Sequence, residues 1–582
     1  MRRYWKYVKP YLSAFIIGPI LMIVEVIGEV VMPLLLRNII DKGVVGERGI
    51  HYIITMGITM VVTALFMMAG GVGGAYFAIK ASSGFANDLR KDLFHQIQKF
   101  SFKNIDQYNA GSLITRLTND ITQIQNMIQM MLRMALRAPG MLIGALIMAL
   151  SLNAKLAMVI LCVIPLLSLA IYIVIKIGFP KFIALQKKLD ALNSTTQENL
   201  TNIRVVKSFV RERFEEDKFK KANTDLKEST ISAMKVVIFT MPAMTLAMNI
   251  TTLAVVWFGG RQIIAGNMTS GVLTAFVNYV VQILMSLIMV SVIILNSSRT
   301  LASVRRVNEV LDTKIDLTDE EAIDNEINKE RTVQYGKIEF KNVYFKYYKN
   351  NKKWVLENIN LLINPGETVG IIGSTGSGKS SLVQLIPRLY DVDEGEVLVD
   401  DVNVRDYSLK NLRDGVGIVL QKNILFSGTI KENLKWGDEN ASDDEVYKYA
   451  QSAQAHGFIT SFENGYNTEL GQGGVNLSGG QKQRLCIARA MLKKPKILIL
   501  DDSTSAVDTA TEAKIRESFK NELKDTTKII IAQRISSVME ADKIVVLDDG
   551  KIVGLGTHEE LLKSCEAYSE IYYSQMDKKV TA

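Results

Sequence analysis

The segment 373–380 has the residue types of a loop that binds phosphate groups. It reads Gly373, Ser374, Thr375, Gly376, Ser377, Gly378, Lys379 and Ser380, which is a complete G-x-x-x-x-G-K-S pattern. An apolar run at 368–372 precedes it, and a helix is predicted to begin at Ser380. In that context backbone N–H groups hold phosphate oxygens, Lys379 reaches the outer phosphates and Ser380 can ligate Mg2+. The spacing therefore predicts a nucleotide site, which we extend to Ser381.

Two further patterns follow in the same half of the chain. Leu477, Ser478, Gly479, Gly480 and Gln481 form the pattern L-S-G-G-Q. The apolar run 497–500 ends at Asp501, and a carboxylate in that position can serve a bound Mg2+. Because the three patterns occur in this order with strands and helices between them, we interpret 373–380 as a functional loop and not as a Gly-rich turn.

The apolar residues are concentrated before about residue 298, which indicates that the first half spans a membrane. The chain has 582 residues, of which 48% are hydrophobic, and its net charge is +8. We attribute this charge to basic cytoplasmic loops and not to nucleic-acid binding. Six spans are predicted, at about 12–36, 52–79, 131–151, 155–178, 235–258 and 270–297. The long basic connections between them are predicted to be helical and to place both termini in the cytoplasm, with the chain in the cell membrane.

The second half alternates short apolar runs with helical segments, which predicts an α/β domain with a largely parallel sheet. The runs are 338–340, 369–372, 397–399, 417–420, 497–500, 529–532 and 544–547. We therefore predict an α-helical membrane domain at 1–310, with six transmembrane helices that have long cytoplasmic extensions. An acidic linker at 311–335 and an α/β P-loop ATPase domain at 336–582 complete the chain.

These motifs and their order resemble those of half-transporters of the ATP-binding cassette (ABC) exporter family, over nearly the whole chain. The resemblance implies that Tyr347 stacks on adenine, that Gln421 contacts magnesium and senses the membrane domain, and that Asp501 is a magnesium-side carboxylate. It implies that 477–481 is the signature, which acts on a partner's site, and that Asp508 of the loop 505–508 carries communication between two ATP sites. The implied activity is ATP-driven, magnesium-dependent export of amphipathic drugs or lipids by alternating access.

Two positions depart from the family pattern at the same chemical step. Where the family has a catalytic glutamate after Asp501, this chain has Asp502, and where the family has a switch histidine it has Gln533. Asp is one methylene shorter than Glu, and a misplacement on the order of 1 Å can cost about a hundredfold in rate. Gln cannot take up a proton as His can. We therefore expect the site to bind ATP and to hydrolyse it poorly, whereas an active site that tolerates Asp502 is the simpler alternative.

The intact signature predicts a heterodimer. In this family each ATP site combines one chain's phosphate loop with the other chain's signature, so a homodimer would have two impaired sites. The pattern is similar to that of the degenerate-site subunits of bacterial heterodimeric multidrug exporters. We expect a second half-transporter that carries the glutamate and the histidine, to which this chain lends Ser478, Gly479, Gly480 and Gln481. A regulatory, channel-like subunit and a slow homodimeric flippase are two alternatives that the sequence leaves open.

Several polar side chains on the predicted spans are candidates for a cargo cavity. Glu25 and Glu29 lie four residues apart, hence on one face of the first span. They could bind a hydrophobic or cationic amphipathic cargo, or they could pair with a basic residue such as Arg133 or Arg137. Asn249, Asn278 and Gln282 are further candidates, each with an interhelical hydrogen bond as the alternative role.

Overall fold

The computed structural model describes residues 2–319, 326–348, 353–503 and 507–576, apart from some side chains that lie chiefly within three long helices of the first half. Its contacts divide the chain into two units. Unit 1 comprises Met1–Gln98 and Ala110–Thr313, and unit 2 comprises Lys99–Asn109 and Lys314–Ala582. The segment 99–109, which the sequence analysis assigned to the membrane domain, therefore packs with the residues of the second half.

The first half is almost entirely helical. Its helices are α1 Arg2–Val8, α2 Leu12–Asn38, α3 Gly49–Gln98, α4 Phe102–Asp106, α5 Ala110–Thr115, α6 Ile121–Met134, α7 Arg137–Leu152, α8 Ala154–Thr201, α9 Ile203–Ser208, α10 Glu212–Ile264 and α11 Ser270–Asp312. Single π-helical turns at Ile39–Val44 and Arg116–Asp120 follow α2 and α5.

Four helical stretches among the described residues are long and apolar enough to cross a membrane. They are Arg3–Val44, Gly49–Gln98, Ala110–Leu152 and Ser270–Ile293. The predicted spans 155–178 and 235–258 lie within α8 and α10, which are unbroken helices of 48 and 53 residues. At 1.5 Å per residue such helices are about 70–80 Å long, more than twice the thickness of a hydrocarbon core. Neither helix is among the four stretches above, and the two helices extend well beyond the predicted spans and form most of the connection between them.

Glycines allow α2 and α3 to approach each other closely. A Cβ added to Gly70 would lie 2.9 Å from the carbonyl oxygen of Leu21, and one added to Gly74 would lie 3.1 Å from that of Gly18. Small residues at such a contact let two helix backbones pack directly, as in many membrane proteins. The same contact sets Glu25 beside Gly71, where an added Cβ would lie 3.1 Å from a carboxylate oxygen.

Unit 2 contains two larger sheets and one short strand pair. The strands are β1 Ile338–Phe345, β2 Leu356–Ile363, β3 Thr368–Gly373, β4 Glu394–Val399, β5 Val402–Asn403, β6 Val416–Val419, β7 Gly428–Thr429, β8 Glu469–Leu470, β9 Ile497–Asp501, β10 Thr527–Ile531, β11 Lys543–Asp548 and β12 Lys551–Gly556. The larger sheet has the order β12-β11-β3-β10-β9-β6, and all its strands are parallel except β12. The other sheet, β2-β1-β4-β5, is antiparallel.

Helices flank the strands of unit 2. They are α12 Glu326–Lys329, α13 Lys379–Gln384, α14 Leu409–Asp414, α15 Ile430–Lys435, α16 Asp443–Ser452, α17 His456–Thr460, α18 Gly479–Leu492, α19 Thr509–Glu522, α20 His558–Ser564 and α21 Glu566–Met576. Every residue of β9 and β10 is buried. A strand that is covered on both faces has a continuous apolar sequence, and this is why β9 and β10 could be predicted.

The antiparallel sheet was not predicted from the sequence. The predicted runs lie in β1, β3, β4, β6, β9, β10 and β11, with Leu420 and Ala532 falling one residue beyond their strands. Strand β2 was missed although it buries Leu356, Ile359, Leu361 and Ile363. Leu362 is apolar and yet 43% exposed, so it obscures the alternation that marks a half-buried strand.

Candidate functional site

Four neighbouring parallel strands bring the predicted nucleotide residues to one edge of the larger sheet. The phosphate loop leaves β3, Gln533 follows β10 and Asp501 ends β9. Strand β10 lies between β3 and β9, and β6, which leads to Gln421, pairs with the other side of β9. Because the carboxyl ends of parallel strands meet at one edge, residues far apart in sequence are brought to one site.

Two glycines of the phosphate loop have no room for a side chain. A Cβ on Gly373 would lie 1.9 Å from the carbonyl oxygen of Leu547. Gly378 has a φ of +97°, and a Cβ there would lie 2.9 Å from the carbonyl oxygen of Val355. The loop is therefore held against neighbouring backbone on one side, which leaves its concave side to a ligand.

The charged groups of the pocket are partly withdrawn from water. The Lys379 ammonium group donates hydrogen bonds to the carbonyl oxygens of Gly373, at 2.9 Å, and Ser374, at 2.7 Å. Ser380 donates to the buried carboxylate of Asp501 at 3.0 Å. Burial lowers the pKa of Lys379 and raises the pKa of Asp501, although the nearby Asp501 carboxylate opposes the first shift. A bound phosphate would stabilise the charged form of Lys379.

The two residues that depart from the family pattern contact each other. The Gln533 side-chain amide donates to the Asp502 carboxylate at 2.8 Å, and Gln421 also hydrogen-bonds that carboxylate. Asp502 has a φ of +48°, a left-handed conformation that Asp tolerates better than most residues. Burial raises the pKa of Asp502, while the Gln533 hydrogen bond and nearby Lys379 lower it. Asp502 and Gln533 thus form one hydrogen-bonded pair beside the phosphate loop.

Tyr347 connects the phosphate loop to helix α4. Its hydroxyl hydrogen-bonds the Ser381 hydroxyl at 2.7 Å, and its ring contacts Tyr390 at a centroid distance of 5.1 Å. Tyr390 in turn donates to the carboxylate of Asp106 on α4 at 2.8 Å. Burial raises the pKa of Tyr347, so the hydroxyl stays protonated and able to donate. The predicted adenine residue is therefore supported by a second tyrosine and a carboxylate.

The signature and Asp508 lie at the starts of two other helices. Ser478 caps α18: its hydroxyl accepts from the Gln481 N–H at 3.3 Å, and the Gln481 side chain accepts from the Ser478 N–H at 2.9 Å. Ser478 and Gly479 are exposed and Gly480 is half-buried. Asp508 caps α19 by accepting from the Thr511 N–H at 2.9 Å. Ser505 and Ala506 of the predicted loop 505–508 lie outside the described residues.

The two glutamates of α2 share one arginine. Arg137 lies 3.2 Å from Glu25 and 2.5 Å from Glu29, measured between guanidinium nitrogen and carboxylate oxygen. The Gln282 side chain donates to the backbone carbonyl of Glu29 at 2.8 Å. Among the described residues, the second carboxylate oxygen of each glutamate is buried without a hydrogen-bond partner. Both glutamates are thus paired with Arg137, and one oxygen of each carboxylate could still accept a hydrogen bond.

The other cavity candidates differ in their surroundings. Asn278 is exposed and donates to the Thr274 carbonyl of its own helix at 2.9 Å. Asn249 is also exposed. Gln282, by contrast, makes the interhelical hydrogen bond that the sequence analysis gave as its alternative role. Among the described contacts of these three residues, the one to a glutamate is made by Gln282.

Replacing Arg137 with Leu is expected to destabilise unit 1 strongly. The substitution leaves Glu25 and Glu29 as two close carboxylates without the cation that pairs with both. Removing one partner of a fully buried ion pair costs about 3–5 kcal/mol, and because these three side chains are half-buried the expected loss lies below that range. The thermal unfolding midpoint of the full chain in lipid nanodiscs should fall clearly. Adding Glu25→Gln and Glu29→Gln to Arg137→Leu should restore most of it. An unchanged midpoint for Arg137→Leu alone would contradict a structural role for the pair.

Sequence reasoning did not identify three residues that support the pocket. Asp106 and Tyr390 are 284 positions apart, and no local pattern records such a pair. Gln575, on the C-terminal helix α21, hydrogen-bonds the backbone on both sides of residue 534. No motif in the sequence marks any of the three residues.

Two family models match the chain. One, described as ABC transporter transmembrane region, matches residues 15–287, and the other, described as ABC transporter, matches residues 356–505. The uncharacterized ABC transporter ATP-binding protein YfiB of Bacillus subtilis is 42% identical over 100% of this chain and 99% of its own length. A putative multidrug export ATP-binding/permease protein of Staphylococcus aureus is 34% identical over 99% of this chain and 100% of its own length.

The fold is also found among solved structures. The structure of a bacterial Atm1-family ABC exporter with ATP bound superposes with a TM-score of 0.77 at 24% identity, and covers 97% of this chain and 98% of its own. At that identity the likeness describes architecture. It supports a helical membrane-spanning half joined to an α/β nucleotide-binding half.

Proposed function

This chain belongs to the ABC transporter family as an exporter half-transporter, and from that premise we propose that it is the slowly hydrolysing subunit of a heterodimer. One observation carries the proposal. The residues that stand in place of the family's catalytic glutamate and switch histidine are Asp502 and Gln533, and they are hydrogen-bonded to each other at 2.8 Å. The phosphate loop of this site is intact, whereas these two side chains are hydrogen-bonded to each other. Such a site is better suited to binding ATP than to hydrolysing it.

The pocket has the donor set that ATP and Mg2+ require. The loop 373–380 offers backbone N–H groups and Lys379, and Tyr347 offers a ring for adenine. Ser380, Asp501 and Gln421 are the oxygen-bearing side chains that would hold Mg2+. When bound, Mg2+ neutralises charge on the phosphate oxygens. A Cβ added at Gly373 would lie 1.9 Å from the carbonyl oxygen of Leu547 on β11, so the loop packs closely against that neighbouring strand.

The same geometry explains why hydrolysis at this site should be slow. A glutamate would reach one methylene further than Asp502 to orient a water, and a misplacement of about 1 Å costs roughly a hundredfold. Gln533 donates its amide to Asp502 and, unlike a histidine, cannot carry a proton.

A partner chain would complete both ATP sites. The signature residues Ser478 and Gly479 are exposed, as groups that act on another subunit must be. The turn around α9 in unit 1 also presents apolar side chains to solvent, with Val205, Phe209 and Val210 between 55% and 80% exposed. Exposed apolar clusters on this scale mark protein contacts. We infer a second half-transporter that carries the catalytic glutamate and histidine and receives this chain's signature.

The proposed cargo is an amphipathic drug or lipid, exported across the cell membrane with both termini and the ATPase domain in the cytoplasm. Relatives named as putative multidrug export proteins support this class. Glu25 and Glu29 favour the cationic members of this class, because the single positive charge of Arg137 is shared between their two carboxylates. Asp508 would carry communication between the two ATP sites.

The deciding experiment is the steady-state ATPase activity of the purified full-length chain, alone and co-purified with a candidate partner. We expect low activity alone and high activity together. Robust activity of the chain alone would instead support the homodimeric flippase. ATP-dependent passive ion current without directional transport would support the channel-like alternative, and either result would reject the proposed role.

A further inference from the structure

The C-terminal helix α21 reaches the loop that carries Gln533. Gln575, near the end of that helix, uses both ends of its side-chain amide. Its nitrogen donates to the backbone carbonyl of Gln533 at 2.9 Å, and its oxygen accepts from the backbone N–H of Ile535 at 2.9 Å. One side chain therefore holds two backbone groups two residues apart, in the way a neighbouring strand would.

This contact lies where the sheet no longer constrains the chain. Strand β10 ends at Ile531, so Gln533 and Ile535 lie beyond its ladder. Arg534 between them has an extended backbone, with φ −94° and ψ 128°, which directs its neighbours to the same side. Ile535 is buried, so its N–H would otherwise need a partner within the protein. The side-chain oxygen of Gln575 accepts from this N–H, and this hydrogen bond fixes the turn.

Gln533 links the Gln575 contact to the nucleotide site. The backbone of Gln533 is held by Gln575, and its side chain donates to Asp502 at 2.8 Å. Asp502 is itself hydrogen-bonded through its backbone N–H to the carbonyl of Ile531 at 3.0 Å. The position of the residue-533 side chain is thus set from the C-terminal helix on one side and from the end of β9 on the other.

We propose that Gln575 is a positioning residue: it fixes the loop 533–535 so that the side chain at 533 points at residue 502 and the phosphate region. The inference rests on the proposed function, because it presumes that this pocket binds ATP. The two hydrogen bonds that the structure describes for the Gln575 side chain go to backbone groups, so its effect on chemistry passes through residue 533. The C-terminal helix would therefore determine how accurately any side chain at position 533, native or substituted, is placed relative to residue 502 and the phosphate region.

The first test uses hydrogen exchange in the full-length chain. Gln575→Ala should raise the exchange rate of the Ile535 amide by roughly tenfold, since one hydrogen bond to a buried N–H is lost. Gln575→Glu keeps the oxygen that accepts from Ile535 and loses the donor to Gln533, so it should protect Ile535 and still release residue 533. Ser574→Ala is the matched control, because the hydrogen bond that the structure describes for the Ser574 hydroxyl goes to the Ile571 carbonyl of its own helix.

The second test uses a chain in which hydrolysis can be measured, carrying Asp502→Glu and Gln533→His. In that background Gln575→Ala and Gln575→Glu should both lower kcat by roughly tenfold, because displacements below 1 Å already cost rate. The affinity for ATP, measured with a fluorescent analogue, should stay within about twofold, since the phosphate loop is untouched. Ser574→Ala should change neither quantity.

Two results would overturn the proposal. Unchanged exchange at Ile535 in Gln575→Ala would show that the bond does not hold the loop in solution. A fall in unfolding midpoint accompanied by equal losses of kcat and ATP affinity would show that Gln575 only anchors the helix. Failure of Asp502→Glu and Gln533→His to raise hydrolysis would reject the proposed function instead, and the exchange measurement on the native chain would still decide the role of Gln575.

Discussion

Combining Asp502→Glu with Gln533→His should raise ATP hydrolysis by the purified full-length chain about a hundredfold. The added methylene brings the carboxylate towards the water it must orient, and displacements of about 1 Å are worth this much in rate. The histidine can carry a proton, which the amide of Gln533 cannot. In the native chain these two side chains are engaged with each other at 2.8 Å. The measurement is phosphate release at saturating MgATP.

Each single substitution separates the two contributions. Asp502→Glu alone should give part of the gain, because it restores the reach of the carboxylate but leaves Gln533 unable to exchange a proton. Lys379→Ala in the doubly substituted chain should abolish the gained activity, since Lys379 is held within the phosphate loop by the carbonyls of Gly373 and Ser374. A double variant as slow as the native chain would show that hydrolysis is limited elsewhere, and the degenerate-site interpretation would be wrong.

Ser478→Ala in this chain should lower ATP hydrolysis by the complex with its partner by about 10²–10³-fold, the usual cost of removing one donor to a reacting phosphate or oxyanion. The affinity of this chain's own phosphate loop for ATP should remain unchanged, because Ser478 is proposed to act on the other subunit. The measurement pairs steady-state phosphate release by the complex with nucleotide binding to the isolated full-length chain.

Loss of the helix cap is the competing explanation, and the chain offers a matched control. Ser442 caps α16 with the same capping box: its hydroxyl accepts from the Glu445 N–H at 3.3 Å, as the Ser478 hydroxyl does from Gln481. Ser442→Ala removes a comparable cap, worth about 1 kcal/mol, outside the signature. If Ser442→Ala and Ser478→Ala reduce hydrolysis equally, the loss reflects stability and the trans role of Ser478 is contradicted.

Much of the nucleotide-binding half could be read from local patterns. The phosphate loop, Asp501 and the buried strands of the larger sheet are marked by glycine spacing and continuous apolar runs, because their roles depend on backbone conformation and burial on both faces. Strand β2 of the antiparallel sheet was not predicted, because exposed Leu362 breaks the alternation of its buried residues. The helical continuations α8 and α10 were predicted, since helix breakers are few along them.

The pairings around the candidate site were decided by tertiary structure alone. Sequence placed Glu25 and Glu29 on one face of a helix but left open whether an arginine or a cargo meets them, and packing brings Arg137 to both. Sequence named Asp502 and Gln533 as two separate departures, whereas the adjacency of β9 and β10 makes them one hydrogen-bonded pair.

The same holds for Gln575, which shares no motif with the residues it contacts. Spacing along the chain determines helices, strands and loops, because these depend on interactions between near neighbours. Which side chains meet depends on strand order and helix packing, and those are set by the burial of apolar surface over the whole unit.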